Sequence, residues 1–250
     1  MKTAMIMAGG QSSRMRADGD PTHKALRKVA GLSLLEHNIA GLIKAGFTQL
    51  VIALSQAETE LKSFIEEKLN ADLTPMGIDL TLYQETKPEG TIGAARVIPQ
   101  SAGHVPIINV DNLSALDLRA FYNHHVAHSA WMTIATHLET FRMPFGQVVV
   151  QAGQILELRE KPETQYHTSS GTYVLSPEAR DLIQNDLPMG APDLFARIRG
   201  LGQPICAFEH QAHWIDINDA ASLKRAETLV SAHPNAFASE QNPYPFWRPV

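Results

Sequence analysis

Short apolar runs that alternate with helical segments constrain the fold of this 250-residue chain more than any other feature. Four runs have the length and composition of buried strands, and segments with helical periodicity or turn residues separate them. The four runs are 3–7, 50–54, 78–83 and 106–110. Strands and helices that alternate in this way form βαβ units, with a mostly parallel sheet covered on both faces. The sequence therefore predicts an α/β, Rossmann-like fold.

The limits of two helices follow from capping signals. Ser33 and Glu36 have the spacing of a capping box, and Gly46 is placed to end the helix that they begin. Ser55 and Glu58 have the same spacing, which predicts a second helix to about Leu69.

The second half of the chain is less regular. Strands are predicted at 131–137, 147–150, 169–175 and 206–210, and Pro177 and Pro192 occupy the favoured first position of helices. This mixture favours a mixed extension of the same sheet over a separate domain. We therefore expect one domain over residues 1–235, followed by a tail, 236–250, that is rich in aromatic residues and proline.

Composition excludes several classes of protein. The formal net charge is −5 and no block of lysine and arginine occurs, which argues against nucleic acid or an acidic membrane as the main partner. The single cysteine, Cys206, excludes an intrachain disulfide framework and a cysteine-rich zinc site. The apolar run before Gly9 is too short for a signal peptide or a membrane span, so we expect a cytoplasmic protein.

The loop after the first strand has the composition of a phosphate-binding loop. Gly9 and Gly10 allow backbone N–H groups to approach an anion, and Arg14 and Arg16 follow within a few residues. The spacing matches neither the P-loop nor the dinucleotide fingerprint. The alternative interpretation is an ordinary strand-to-helix turn with solvated arginines.

Two aspartates are candidate ligands of a divalent cation. Asp111 ends a buried strand, and Asp216 lies between apolar residues, where a carboxylate is costly unless it is paired or bound to metal. Mg²⁺ takes few carboxylates together with phosphate oxygens and water, so two aspartates suffice. Alternatively, each aspartate caps a helix or pairs with an arginine.

His124 and His128 lie one helical turn apart without an evident third ligand, so an exposed helix face is favoured there over a metal site.

Several candidates follow strand ends and should share one rim of the sheet, because ligands bind beyond the carboxyl ends of parallel strands. They are the segments 7–16 and 84–93 together with Asp111. Lys24 and Lys161 become candidates for phosphate binding only if they reach the same rim.

Seven short motifs, in order, resemble those of the sugar-1-phosphate nucleotidyltransferases, or NDP-sugar pyrophosphorylases. The loop 8–16 is similar to the signature AGGxGTRL of that family. The other matches are Lys24 before Ala30 and Gly31, Gly90-Thr-Ile-Gly-Ala94, Asn109-Val-Asp111, Glu160-Lys-Pro162, Gly171-Thr-Tyr-Val-Leu175 and Trp214-Ile-Asp-Ile217.

The resemblance implies a fold of the nucleotide-diphospho-sugar transferase type and a role for each matched residue. The nucleotide would bind in the part of the domain up to about residue 115, and the sugar in the part from 116 to 235. The implied nucleotide-binding residues are Ala8, Gly9, Gly10, Gln84, Gly90 and Thr91. Arg14, Lys24 and Lys161 are implied in catalysis, Glu160, Ser170 and Gly171 in sugar binding, and Asp111 and Asp216 in holding Mg²⁺.

The implied reaction joins a nucleoside triphosphate to a sugar 1-phosphate and releases pyrophosphate. Departures from the family pattern include Ser12 and Ser13 in place of Gly-Thr, and Ser170 in place of a sugar-contacting asparagine. Transfer to another phosphorylated acceptor, such as phosphocholine or the molybdenum cofactor, therefore stays open, as does a silent, nucleotide-sensing homologue. The sequence also leaves open whether the chain forms a homo-oligomer.

Overall fold

A seven-stranded mixed sheet forms the centre of the chain in a computed structural model that describes residues 2–9, 22–184 and 188–238. From one edge to the other, its strands are β12 (Ile205–Glu209), β8 (Met132–Arg142), β11 (Glu163–Leu175), β6 (Val105–Asn109), β1 (Thr3–Met7), β4 (Gln49–Ser55) and β5 (Asp79–Glu85). All neighbouring pairs are parallel except the two that β11 makes, with β6 and with β8. The predicted α/β fold with a mixed sheet is confirmed.

Three two-stranded sheets lie outside the central sheet. They pair β2 (Lys28–Val29) with β3 (Leu32–Ser33), β7 (Asn112–Ser114) with β13 (Trp214–Asp216), and β9 (Gln147–Gln151) with β10 (Gln154–Arg159).

The α-helices are α1 (Leu34–Ala45), α2 (Thr59–Ser63), α3 (Asn70–Leu73), α4 (Leu118–Ala127), α5 (Pro177–Asp181), α6 (Ala191–Gly200) and α7 (Ala220–Ala232). A π-helical segment, Phe64–Leu69, joins α2 to α3. Short 3₁₀ helices occur at Lys24–Leu26, Thr74–Met76, Gly93–Val97 and Gln100–Ala102.

The first capping prediction is confirmed. The Ser33 hydroxyl accepts a hydrogen bond from the Glu36 N–H at 3.2 Å, and the Glu36 carboxylate accepts one from the Ser33 N–H at 2.8 Å. Gly46 ends α1 in the left-handed region, at φ 89°, where a glycine avoids the strain that a side chain would add.

The second capping prediction is wrong. Ser55 is the last residue of β4, and its hydroxyl accepts from the Ala57 N–H at 3.3 Å, as in a turn. The helix begins at Thr59 after the N-cap Glu58, whose side chain makes no capping hydrogen bond. Tertiary packing sets this start, because Leu61, Ile65, Leu69 and Leu73 are buried in the core on one side of the sheet.

Two groups of buried apolar side chains cover the two faces of the sheet. One includes Ile6, Ile52 and Ile108 with side chains of α1 and α4. The other includes Met5, Ile107 and Tyr173 with side chains of α5 and α6. Since the sheet is covered on both faces, the rim at the carboxyl ends of its parallel strands is the place that the fold leaves open to a ligand.

Strands β8 and β11 extend beyond this rim. Thr172 of β11 lies opposite Ile108 near the end of β6, whereas Glu163 through Ser169 pair only with β8, opposite Arg142 through Thr136. The β9–β10 hairpin lies between these two strands in sequence and turns through Ala152 and Gly153, both with positive φ. We call residues 137–169 the arm.

No helix in the described ranges is long and apolar enough to cross a membrane. Of the predicted tail, the structure describes Ala236, Phe237 and Ala238, and the last two are buried. The central sheet takes strands from both predicted parts of the domain. The division between those parts stays a prediction.

Candidate active site

A cavity of about 250 Å³ opens at the carboxyl ends of β1, β5 and β6. Several of the residues predicted from the sequence lie around it, and they come from four separate parts of the chain. The lining residues are Met7, Gly9, Lys24, Glu85, Pro88, Glu89, Gly90, Thr91, Asn109 and Asp111. The predicted rim of the sheet is therefore a concave site.

Gly9 closes one side of the cavity because a larger residue would not fit there. A Cβ at Gly9 would lie 2.6 Å from Oε2 of Glu85, so the carboxylate of Glu85 packs directly on the glycine backbone. Ala8, the preceding residue, is buried and its N–H donates to the Ala53 carbonyl at 2.7 Å. Gly10, Arg14 and Arg16 lie outside the described residues.

Glu85 is a buried carboxylate in this cavity. Burial raises its pKa, the negative charge of Glu89 raises it further, and a backbone hydrogen bond at Glu89 and the charge of Arg96 oppose the rise. Sequence reasoning selected the neighbouring Gln84, which does not line the cavity. Gln84 and Glu85 are the last two residues of β5, and their side chains point to opposite faces of the sheet. An error of one position in the predicted orientation of this strand therefore selects the wrong residue.

The turn at Gly90 is held by the segment after residue 188. Gly90 has φ +85°, and a Cβ there would lie 2.4 Å from the Met189 carbonyl oxygen. The Met189 N–H donates to the Glu89 carbonyl at 2.8 Å, and the Ile92 N–H donates to the Met189 carbonyl at 3.1 Å. The hydroxyl of Thr91 accepts from the Ala191 N–H at 3.3 Å. The turn is therefore fixed on both sides of Gly90.

An ion pair between Arg96 and Glu89 also supports this turn. Arg96 pairs with Glu89, and its guanidinium also donates to the hydroxyl of Tyr83 at 2.9 Å and to the Gly93 carbonyl at 3.1 Å. The Tyr83 hydroxyl donates to Glu89 at 2.8 Å. The charge and hydrogen bonds of Arg96 lower the pKa of Glu89, so Glu89 is held as a carboxylate. Sequence reasoning missed this network, although an arginine seven residues after an acid was its visible signal.

Lys24 and Asp111 meet across the mouth of the cavity. Lys24 begins a short 3₁₀ helix capped by His23, whose Nδ1 accepts from the Ala25 N–H at 3.1 Å. The Nζ atom of Lys24 lies 2.5 Å from Oδ2 of Asp111, and each side chain is 17% exposed. The structure thus brings together two predicted residues that are 87 positions apart.

Asp216 lies beside Asp111 on the neighbouring strand pair. Asp216 is opposite Asn112 in the β7–β13 ladder, and the next N–H, of Ile217, donates to the Asp111 carbonyl at 3.0 Å. The amide of Asn218 donates to the Asp216 carboxylate. The two aspartates predicted to hold a cation are therefore neighbours in space.

Asp111, in the turn after β6, lines the cavity, and Asp216 ends β13 next to it. Two such carboxylates fit the donor set of Mg²⁺, which completes its shell with phosphate oxygens and water. Within the part of the chain that the structure describes, no group of three or more histidine, cysteine or acidic side chains could hold a metal ion by itself.

Ser170 is placed differently from Gly171. The Ser170 hydroxyl lies 2.8 Å from Nδ1 of His137 and 2.8 Å from Nε2 of His210, and its carbonyl accepts from the Trp214 indole N–H at 3.0 Å. Ser170 is 1% exposed and does not line the cavity of Gly9 and Asp111. Burial and the nearby His137 lower the pKa of His210. The network therefore fixes the position of β11 and leaves Ser170 no exposed hydroxyl.

Gly171 follows on the same strand with φ +65°. A Cβ there would lie 2.1 Å from the side-chain nitrogen of Asn112 and 3.1 Å from that of Asn109. Two asparagine amides thus pack on its backbone, next to the cavity that Asn109 lines.

Lys161 and Glu160 are exposed and do not line the cavity. Lys161 precedes β11 in the left-handed region, with φ 43°. Ten positions of nearly continuous strand separate it from Gly171, a distance of roughly 30 Å. The structure does not bring these two predicted residues to the site, so their roles stay predictions. Among the described residues, His124 and His128 belong to no group of three possible metal ligands, and their ring centroids lie 4.1 Å apart.

Comparison with known proteins places this geometry in a family. The model of the nucleotidyl transferase family matches residues 3–232, almost the whole described chain. The chain belongs to the nucleotidyl transferase family.

Curated relatives agree with this membership. The chain is 26% identical over 222 residues to the mannose-1-phosphate guanyltransferase beta-A of Xenopus laevis, and 24% identical over 221 residues to the mannose-1-phosphate guanylyltransferase catalytic subunit beta of Drosophila melanogaster. Each alignment includes 86% of this chain, but only 60% and 58% of the respective relatives. The chain thus spans about 60% of the length of the curated relatives that it matches.

Solved structures share the fold over more than nine-tenths of this chain and of their own length. A protein of Bacillus anthracis assigned as a glucose-1-phosphate thymidylyltransferase, in complex with a sucrose, has a TM-score of 0.70 at 21% identity, over 92% of this chain and 94% of that one. HddC of Yersinia pseudotuberculosis, complexed with GMP-PN, has a TM-score of 0.68 at 20% identity, over 92% and 99%. These two neighbours therefore share the fold of this chain.

Proposed function

We propose that this nucleotidyl transferase moves a nucleotidyl group from a nucleoside triphosphate to a sugar 1-phosphate, with release of pyrophosphate. The observation that carries the proposal is the cavity at the rim of the sheet, where Gly9, Gly90, Lys24 and Asp111 meet. Family membership supports the reaction class, and the curated relatives are named for guanylyl transfer to mannose 1-phosphate.

In the proposed reaction an oxygen of the sugar phosphate attacks the α-phosphorus of the nucleotide in line. The bond from the α-phosphorus to the pyrophosphate oxygen breaks, and pyrophosphate leaves with that electron pair. The protein's work is to position the two phosphates and to neutralise charge. Gly9 and Gly10 would present backbone N–H groups, Lys24 would approach the α-phosphate, and Arg14 would contact the β- and γ-phosphates.

Asp111 and Asp216 are the residues proposed to hold Mg²⁺. The ion would supply positive charge against the developing charge on the phosphate oxygens. In the described structure Lys24 already neutralises Asp111. Binding of a metal-bound nucleotide would separate this pair, so that Asp111 faces the ion and Lys24 faces the α-phosphate. The pair therefore keeps the site balanced in charge before the nucleotide enters.

Glu85 supports guanine as the base. An ionised carboxylate accepts hydrogen bonds and donates none. Guanine offers two adjacent donors, N1–H and the N2 amino group, which one carboxylate can accept together. Uracil, thymine, cytosine and adenine each place an acceptor next to a donor, so a carboxylate would face an oxygen or nitrogen lone pair. The position of Glu85 against Gly9 puts this acceptor inside the cavity.

The sugar would bind beside Gly171, where the amides of Asn109 and Asn112 lie against the backbone. Ser170 would act through β11, because its hydroxyl is committed to two histidines. For Lys161 and Glu160 to contact the sugar phosphate, the arm would have to bend toward the cavity.

A screen for pyrophosphate release tests the proposal. The wild-type chain, with Mg²⁺, is assayed with GTP, UTP, dTTP, CTP and ATP against a panel of sugar 1-phosphates and phosphocholine. We expect release with GTP and a sugar 1-phosphate. Release only with phosphocholine would reassign the acceptor, and no release with any pair would indicate the silent, nucleotide-sensing alternative.

A further inference from the structure

Exposed apolar side chains are concentrated in the arm. Thirteen large apolar side chains are exposed in the described residues, and ten of them lie between positions 138 and 166. These ten are Leu138, Phe141, Met143, Phe145, Val148, Val150, Ile155, Leu156, Leu158 and Tyr166. Apolar side chains scattered singly over a surface are common, whereas a concentration of them in one element marks an interaction site.

The β9–β10 hairpin is amphipathic, and its apolar face is open. Val148 lies opposite Leu158, and Val150 lies opposite Ile155. Residues two apart in a strand share a face, as do residues directly opposite, so these four side chains form one surface. They are exposed by 46%, 70%, 60% and 69%, in the order Val148, Leu158, Val150 and Ile155. The alternation of the strands thus turns their apolar side toward solvent.

This hairpin lacks the support that such elements need. Within the described residues β9 and β10 pair only with each other, and every residue of β10 is exposed. A two-stranded hairpin is marginally stable in water without a third strand or a covering surface. A partner that covers the apolar face would remove water from it and stabilise the pair of strands.

The charges of the arm favour a second copy of this chain as the cover. The arm carries four acidic and three basic side chains: Glu139, Arg142, Glu157, Arg159, Glu160, Lys161 and Glu163. This near balance gives no attraction to an anionic membrane or to nucleic acid. In a contact with two-fold symmetry, the same surface meets itself, and acids can face bases of the other copy.

The apolar area exposed over the whole arm is comparable to one side of a standard interface. If each of the ten side chains exposes about half of its surface, they offer on the order of 800 Å², which is the area that each partner contributes to a standard interface. Two hairpins that stack face to face would form a small sandwich with the four aliphatic side chains of each copy inside.

We propose that the arm packs against the arm of a second copy of this chain, with the apolar faces of the two β9–β10 hairpins in contact. The inference concerns assembly and does not depend on which substrates the chain uses. The open face formed by Val148, Val150, Ile155 and Leu158 is the centre of the interface.

Sedimentation of the full chain tests this proposal. At micromolar concentrations we expect the wild-type chain to sediment at twice the 27.5 kDa mass of one chain. Ile155→Glu with Leu158→Glu should give a folded species at 27.5 kDa, because four carboxylates would enter one apolar contact. The matched control, Gln147→Glu with Gln151→Glu, adds the same charge on the opposite face of the hairpin and should remain dimeric.

A milder variant keeps the test valid if the glutamate variant does not fold. Val148→Thr with Val150→Thr preserves shape and β-propensity, and should weaken dimerisation by roughly tenfold or more, since hydroxyls would be buried without partners. A monomeric wild-type chain would overturn the proposal, as would a folded glutamate variant that stays dimeric or a control that dissociates equally. A monomer that instead floats with phosphatidylcholine–phosphatidylserine vesicles would show that the face binds lipid, and would overturn it too.

Discussion

The exchange of Glu85 for glutamine tests the proposal that this carboxylate selects guanine as the base. The Glu85 carboxylate packs so closely on Gly9 that a Cβ there would lie 2.6 Å from it. Glutamine has the same shape as glutamate, so it fits in this space. The change replaces one acceptor oxygen with an amino group that donates. In the proposed complex, that group would face a guanine N–H, donor against donor.

The cost of this change follows from the two hydrogen bonds. A hydrogen bond to a charged group contributes about 1.5–3 kcal/mol. Glu85→Gln would remove one of the two hydrogen bonds to guanine and the charge that strengthens the other, a combined loss of about 3 kcal/mol. A loss of about 1.4 kcal/mol corresponds to a tenfold weaker interaction. We therefore expect kcat/KM for GTP to fall roughly a hundredfold. With UTP the value should rise, because glutamine matches the donor and the acceptor of uracil.

The assay is pyrophosphate release by Glu85→Gln with GTP and with UTP at a fixed sugar 1-phosphate. Folding of the variant is checked by its free energy of unfolding at pH 7. The folded-state pKa of Glu85 is raised, so its contribution to stability is present at low pH and is lost as the pH rises through the folded pKa. Its ionised form is thus unfavourable in the fold at pH 7, and glutamine should not reduce stability. An unchanged preference for GTP in this folded variant would refute the role of Glu85.

Four further outcomes follow from the same cavity. For the wild-type chain, kcat/KM with GTP should fall toward acid pH as Glu85 takes up a proton, and the midpoint of this fall should lie at a higher pH than the pKa of an ordinary glutamate. The same pH profile in Glu85→Gln would contradict this role. Gly90→Ala should lower the thermal midpoint of unfolding and abolish turnover, since its methyl group would clash with the Met189 carbonyl. The control is Gly77→Ala, which has a similar positive φ but open space around it, so it shows the effect of backbone strain without the clash. Lys24→Ala should lower kcat/KM at least about tenfold, and more than Lys161→Ala does; a larger loss at Lys161 would show that the arm bends to the cavity during turnover. EDTA should abolish pyrophosphate release and Mg²⁺ should restore it, so turnover that resists chelation would exclude a metal at Asp111 and Asp216.

Local signals predicted much of the fold. The helix from Ser33 to Gly46 depends on neighbours a few positions away, and its capping box and left-handed glycine could be read directly. The runs at 50–54 and 106–110 are buried on both faces and have no competing interpretation. Ser55 shows the limit of such signals, because packing of later apolar side chains moved the start of the helix past it.

The candidate site was predictable where a residue follows directly from a strand end. Gly9 and Asp111 do so, and both line the cavity. Gln84 and Glu85 differ by one position, and only the orientation of the last residue of β5 decides between them. The place of Lys161 depends on pairing between Arg142 and Glu163, a long-range contact that no local pattern encodes.

The charges around the cavity are compatible with the proposal that one small space both recognises the base and neutralises phosphate. Three of its lining residues are acidic, which alone would repel a nucleoside triphosphate. Arg96 neutralises Glu89, and Lys24 neutralises Asp111, so neither acid presents a net charge to the entering nucleotide. Glu85 keeps its position beside Gly9 as the acceptor that a base with two adjacent donors can use. In the proposed reaction, a cation held by Asp111 and Asp216 would replace Lys24 as the partner of Asp111 and free Lys24 for the α-phosphate, so nucleotide binding would depend on Mg²⁺.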